Sequence, residues 1–103
     1  MSYLYVIVRR DLSPAQQAVH VTHAALEAAK HFNLTGWGEH PHLVVCGVKS
    51  IEQLLNSSDH LTRNNIPHKL WNEPDLNNEP MALATTLLTG EARRCLRKFQ
   101  LLA

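Results

Sequence analysis

Hydrophobic positions along the chain switch between two periods. Tyr3 to Val8 is an unbroken apolar run of β-branched and aromatic residues, the composition of a buried strand. After it the pattern becomes helical. Ser13 can cap a helix, Pro14 suits its first position, and Gln16 completes a Ser-x-x-Gln capping box. The spacing predicts a helix over 14–32, with Val21, Ala25, Ala28 and Phe32 in repeat and Ala18 and Ala24 beside them. Small residues let a helix lie close to a sheet. The opposite stripe reads Gln16, His20, His23, Glu27 and Lys30 or His31. Asn33 to Pro41, punctuated by Gly36, Gly38 and Pro41, is a loop, and His42 to Val48 is a second buried strand. A strand–helix–strand unit almost always closes as a right-handed parallel crossover, so 3–9 and 42–48 are expected side by side and parallel.

The second half repeats the theme with weaker signals. Ser50-Ile51-Glu52-Gln53 is another capping box and opens a helix to about Arg63, with Ile51, Leu54, Leu55 and Leu61 inward and Asn64-Asn65 ending it. Pro67 to Trp71 reads as a short third strand, placed at an edge by its proline. Asn72 to Pro80 is a turn-rich acidic loop, and Met81 to Leu87 a fourth strand, antiparallel to the third. Thr89-Gly90-Glu91 is expected to start a final helix with Ala92, Cys95, Leu96, Phe99 and Leu102 on one face. The alternation predicts an α/β fold: a three-layer sandwich on a mixed four-stranded sheet with helices on both faces, in one domain over 1–103.

Composition narrows the function classes. A chain of 103 residues can bury a core without staples. A net charge of +1 exerts no global pull on nucleic acid or membrane, so only local patches can act. Cys46 and Cys95 have no metal-type spacing and read as small core residues. With no signal peptide and no apolar run near a membrane span, the expected location is cytoplasmic, with no membrane partner.

Candidate chemistry gathers behind the first strand. Asp11 closes that strand and His20 and His23 lie on the following helix; in open α/β sheets ligands bind at this end of the strands. His20, His23 and Glu27 share one helix face, suited to acid–base work or metal ligation, though the same spacing also suits a solvated face. No further ligand pair completes a metal site. Asp11 serves equally as a turn residue bonding its own backbone. The 73–79 loop carries Glu73, Asp75 and Glu79, able to orient water or pair with a cation, or simply to form a surface turn. Arg93, Arg94, Arg97 and Lys98 hold four of the ten basic residues, as a solvated stripe or a phosphate-contacting patch. Arg9 and Arg10 form a second basic pair, but strand alternation lets only one of them face any given side. His40, His42, His60 and His68 fall into no pattern.

Arg9-Arg10-Asp11-Leu12, a short linker, then Gln17-Ala18-Val19-His20-Val21-Thr22-His23-Ala24 resembles the opening of the type 2 peptidyl-tRNA hydrolase family. That family reads Arg-x-Asp-Leu, a Lys-Gly-Lys segment, then Ala-Ala-Gln-x-Ser-His-Ala. On the match His23 takes the family's His, Thr22 its Ser and His20 its Gln, while the family's lysine falls near Pro14 in a shorter linker. A bacterial branch, with Leu-Ser-Pro-Gly-Gln-Gln here and Glu-Pro-Asp-Leu later, is more similar still. The family's loop acid, in an Asp-Ala-Gly-Arg-Thr-Gln run, corresponds to the Glu73–Asp75 region, and its strand-opening threonine to Met81. The resemblance implies hydrolysis of the ester bond of peptidyl-tRNA, releasing peptide and tRNA, with neither cofactor nor metal. It implies catalytic roles for Asp11, His20, His23, Glu73 and Asp75, and phosphate contacts from Arg9, Arg10, Arg93 and Arg97. The implied partner is tRNA, and a homodimer is a further expectation. The alternative is a non-catalytic homologue acting as an RNA- or protein-binding module, because Pro14 can neither donate a proton nor bind phosphate. Convergence of Asp11, His23 and Glu73 or Asp75 on one pocket discriminates between the two readings.

Overall fold

A computed structural model describes residues 1–35 and 38–102. The chain runs β1 (Tyr3–Arg9), α1 (Pro14–His31), β2 (His42–Val48), α2 (Ile51–Arg63), β3 (His68–Glu73), β4 (Glu79–Thr85) and β5 (Gln100–Leu101). Short 3₁₀ segments cover Pro74–Leu76 and Gly90–Leu96. Gly36 and Trp37, within the predicted 33–41 loop, lie outside the described residues.

Both helices start where their caps dictate. Ser13 Oγ accepts from Gln16 N at 3.2 Å while Gln16 Oε1 accepts from Ser13 N at 3.1 Å. At α2, Ser50 Oγ accepts from Gln53 N at 3.2 Å, and the Gln53 side chain reaches back one residue further, to Lys49 N. Each cap satisfies amides that the helix itself leaves unpaired, for about 1 kcal/mol. Asn64 caps the end of α2, and Asn65 follows at φ 57°, a left-handed conformation that asparagine tolerates.

The sheet is mixed, in the order β3-β4-β1-β2-β5. β1 pairs parallel with β2 from Tyr3 opposite His42 to Arg9 opposite Val48, as the crossover rule requires. β4 runs antiparallel to β1 and to β3, which lies at the edge. Alternation along β1 sends Tyr5 and Ile7 into a cluster with Leu54 and Leu61 of α2, and Leu4, Val6 and Val8 into another with Ala24 and Ala28 of α1. The α1 cluster is completed by Ala82 and Ala84. Small residues on both sides let α1 approach the sheet closely.

The structure departs from the sequence expectation at three places. The sheet has five strands rather than four. The predicted last helix is the 3₁₀ segment Gly90–Leu96, opening at Gly90 with φ 52°, after which Gln100–Leu101 pairs antiparallel with β2. An open edge of β2 offers unpaired amides and carbonyls, and strand pairing satisfies them better than one more helical turn. Phe99 consequently packs with the α2 cluster and Leu102 with the α1 cluster, a split that a single helix face forbids. On α2, Leu55 is 40% exposed and Ser57 takes the inward position between Leu54 and Leu61.

Leu54 is fully buried, so Leu54→Ala should cost about 2–5 kcal/mol, against less than about 1 kcal/mol for Leu55→Ala. Urea denaturation of both variants checks this; equal losses would contradict the assigned α2 face.

Candidate active site

Strand directions bring the carboxyl ends of β1 and β3 and the start of β4 to one end of the sheet, with the start of α1 beside them. Arg9, the last residue of β1, is 6% exposed, and its guanidinium is the node there. Its Nε and Nη2 donate to the two Asp11 carboxylate oxygens at 3.0 and 2.8 Å, a bidentate pair. Its Nη1 donates to Glu79 Oε2 at 2.9 Å and to the Pro80 carbonyl at 3.0 Å. Arg9 holds the Asp11 carboxyl below its ordinary range, chiefly through these hydrogen bonds.

Beside this node lies an open cleft lined by Val19, His20, His23, Trp71, Glu73 and the turn Pro74–Leu76. His23 is exposed and stacks on the Trp71 indole, with ring centres 4.6 Å apart and planes 11° from parallel. Trp71 Nε1 donates to His20 Nδ1 at 3.2 Å. Glu73 Oε2 sits 3.9 Å from the same nitrogen, and Glu73 Oε1 accepts the Asp75 amide, starting the 3₁₀ turn. Asn77 and Asn78, both at positive φ, reverse the chain into β4. Asp75 is exposed at the cleft wall.

An indole N–H only donates, so His20 Nδ1 offers its lone pair and the neutral ring carries its proton on Nε2. Burial pushes the His20 pKa below its usual 6.5; Glu73 opposes the shift, while His23 and Arg9 reinforce it. His20 is therefore a buried neutral ring that fixes Trp71, not part of a solvated helix face. It continues the buried line of Ala24 and Ala28 at four-residue spacing.

His20, His23, Glu73 and Asp75 thus meet in one cleft, whereas Asp11 stands outside its lining and reaches the loop through Arg9 and Glu79. Arg10 points away from Arg9, over Gly47 toward the β5 edge, where its Nη2 donates to the Leu101 carbonyl at 2.8 Å. Arg93 lies 3.3 Å over the Tyr3 ring centre and donates through Nε to Tyr5 Oη at 3.0 Å, tying the 3₁₀ segment to β1. Arg97 is exposed and Arg94 pairs with Glu91, so the basic residues of this region form no single stripe. Trp71 is the cleft residue that sequence reasoning missed; its one signal was an aromatic closing a strand ahead of an acidic loop. Cys46 and Cys95 are free thiols, both pushed up by burial, and no metal-holding group of His, Cys, Asp or Glu occurs among the described residues.

The depressed His20 pKa carries a consequence for stability. The unfolded chain takes up a proton at a pH where the folded ring stays neutral. Its contribution is therefore complete above about pH 6.5 and is lost as pH falls through the folded value. The thermal midpoint should drop between about pH 7 and about pH 5, and drop less in His20→Gln, which keeps an acceptor for Trp71 without titrating. Parallel slopes in the two proteins would contradict a buried neutral His20.

Comparison with known proteins places this architecture. A solved structure of a protein of unknown function from Agrobacterium tumefaciens is similar in fold, with a TM-score of 0.69 at 17% identity over 99% of this chain and 98% of that one. No curated protein matches. No helix among the described residues is long and apolar enough to cross a membrane. The family model for peptidyl-tRNA hydrolase PTH2 matches residues 2–99, from the start of β1 to the approach to β5, and the chain belongs to that family.

Proposed function

We propose that the chain hydrolyses the ester bond of peptidyl-tRNA, releasing the peptide and the tRNA. The carrying observation is the family match over residues 2–99, and the cleft offers side chains suited to the reaction. Ester hydrolysis needs a base to take a proton from water as its oxygen attacks the carbonyl carbon. It then needs an acid to return a proton to the departing ribose oxygen. His23 is the exposed imidazole of the cleft, and stacking on Trp71 sets its ring plane. We assign it the proton transfers in both directions. Glu73 and Asp75, on the facing wall, orient the water and balance the imidazolium as it forms.

The remaining residues act indirectly. His20 positions Trp71, and through it His23. Asp11 holds Arg9, whose second arm steadies Glu79 and with it the acidic loop. Arg9 and Arg93 are engaged within the protein, so the substrate's phosphates fall to more accessible cations such as Arg97. This reaction belongs to translation in the cytoplasm.

Purified protein incubated with N-acetyl-aminoacyl-tRNA should release the acylated amino acid with turnover. His23→Ala should lower kcat by about 10²–10⁴-fold while its circular dichroism and thermal midpoint stay near wild type. No release by the wild-type protein would overturn the hydrolytic reading in favour of a binding module. A His23→Ala variant with unchanged kcat would overturn the role given to His23.

A further inference from the structure

At the same end of the sheet as the cleft, beside β2, β5 and the start of α2, lies a second groove of about 510 Å³. Its cations come from three distant parts of the sequence: Arg10 after β1, Lys49 in the β2–α2 turn, and Lys98 before β5. The other lining side chains are neutral, among them Gln53, Asn56 and Ser57, and no carboxylate lines the groove. None of the three cations forms an ion pair among the described residues. In a chain with a net charge of only +1, folding has brought three cations to one groove whose lining holds no carboxylate. A groove lined by cations and neutral polar groups alone suits an anion.

Arg10 is also held in place. Its Nη2 donates to the Leu101 carbonyl at 2.8 Å, and its side chain lies flat over Gly47. A Cβ at residue 47 would meet Arg10 Nε at 2.5 Å and Cγ at 2.8 Å, so only glycine leaves the side chain this path. A guanidinium has five N–H donors, and one is used here within the protein. The rest of the fork is available to a tetrahedral anion, the geometry arginine suits best. The first turn of α2, capped by Ser50, borders the groove through Gln53 and adds the positive end of a helix dipole.

We propose that this groove binds backbone phosphates of the RNA, with Arg10, Lys49 and Lys98 as the contacting cations; the choice of RNA rests on the peptidyl-tRNA reading. Cleft and groove open at the same end of the sheet, the cleft beside β3 and the groove beside β2 and β5, with β4 and β1 between them. An RNA whose 3′ end enters the cleft then carries its preceding phosphates across that end of the sheet, toward the groove.

The test titrates labelled deacylated tRNA over several salt concentrations with wild type, Arg10→Gln, the double variant Lys49→Gln/Lys98→Gln, and Arg63→Gln as a control. Lys49, Lys98 and Arg63 are exposed, and Arg63 lies at the far end of α2. The double variant should bind roughly tenfold or more weakly, with the magnitude of its salt slope reduced by up to about two units. Arg10→Gln should lose up to about one unit of slope, and Arg63→Gln should match wild type. Wild-type affinity and slope in both groove variants would overturn the proposal, as would a wild-type protein that does not bind deacylated tRNA at low salt. The hydrolytic reading fails separately: binding through the groove without release of peptide removes the reaction and leaves the phosphate site standing. Turnover with an unchanged KM in the double variant removes the site and leaves the reaction.

Discussion

The buried guanidinium of Arg9 is the constraint on which this end of the molecule depends. A cation at 6% exposure is tolerated only where its donors are matched, and Arg9 spends them on Asp11, Glu79 and the Pro80 carbonyl. Those partners sit on the β1–α1 connection and on the start of β4, so one side chain ties the beginning of α1 to the acidic loop that ends in β4. Asp11 and Glu79 are 43% and 39% exposed, so water carries part of their charge and the tie is weaker than a fully buried pair. Because Arg9 depresses the Asp11 pKa, the stabilisation is present above the ordinary carboxylate value and is lost only as pH falls through the depressed one.

Strand alternation turns this node into a division of labour. Arg9 follows Tyr5 and Ile7 onto the α2 face of β1 and is consumed by Asp11, Glu79 and the Pro80 carbonyl at the sheet end. Arg10 points the opposite way, over Gly47, and reaches the Leu101 carbonyl at the edge where Lys49 and Lys98 line the groove. A sequence that reads as two adjacent arginines is, in space, one internal structural cation and one cation at a groove. The cleft is layered in a similar way. His20 is locked from beneath by its neutral tautomer, Trp71 sits on it, and His23 stacks on the outer side, so a buried ring sets the plane of an exposed one.

Much of this was legible in the sequence because the signals were local. Two serine N-caps set the starts of α1 and α2, the full capping box forming at α1 while the Gln53 side chain of α2 bonds Lys49 N instead. The apolar runs at 3–8 and 42–48 set a parallel pair. The third strand's proline pointed correctly to an edge. What was hidden depended on distant partners. The apolar spacing of Ala92, Cys95, Leu96 and Phe99 suits a helix, yet the free edge of β2 draws Gln100 and Leu101 into the sheet. His20 looked solvated because helix periodicity cannot reveal that Trp71, about fifty residues later, supplies a donor to a buried imidazole. The gathering of His23 with the 73–75 acids was expected from strand-end placement; the separation of Asp11 from that cleft by Arg9 was not.

The claim that the cleft between α1 and β3 receives the acylated 3′ end is tested most directly by the indole resonance of Trp71. A peptidyl-adenosine carrying an amide in place of the scissile ester binds without being cleaved, and Trp71→Phe assigns the signal in a ¹H–¹⁵N spectrum. Titration to saturation should shift the Trp71 indole N–H progressively, together with the His23 ring. An analogue that binds while leaving both resonances in place would contradict the assignment of this cleft as the active site.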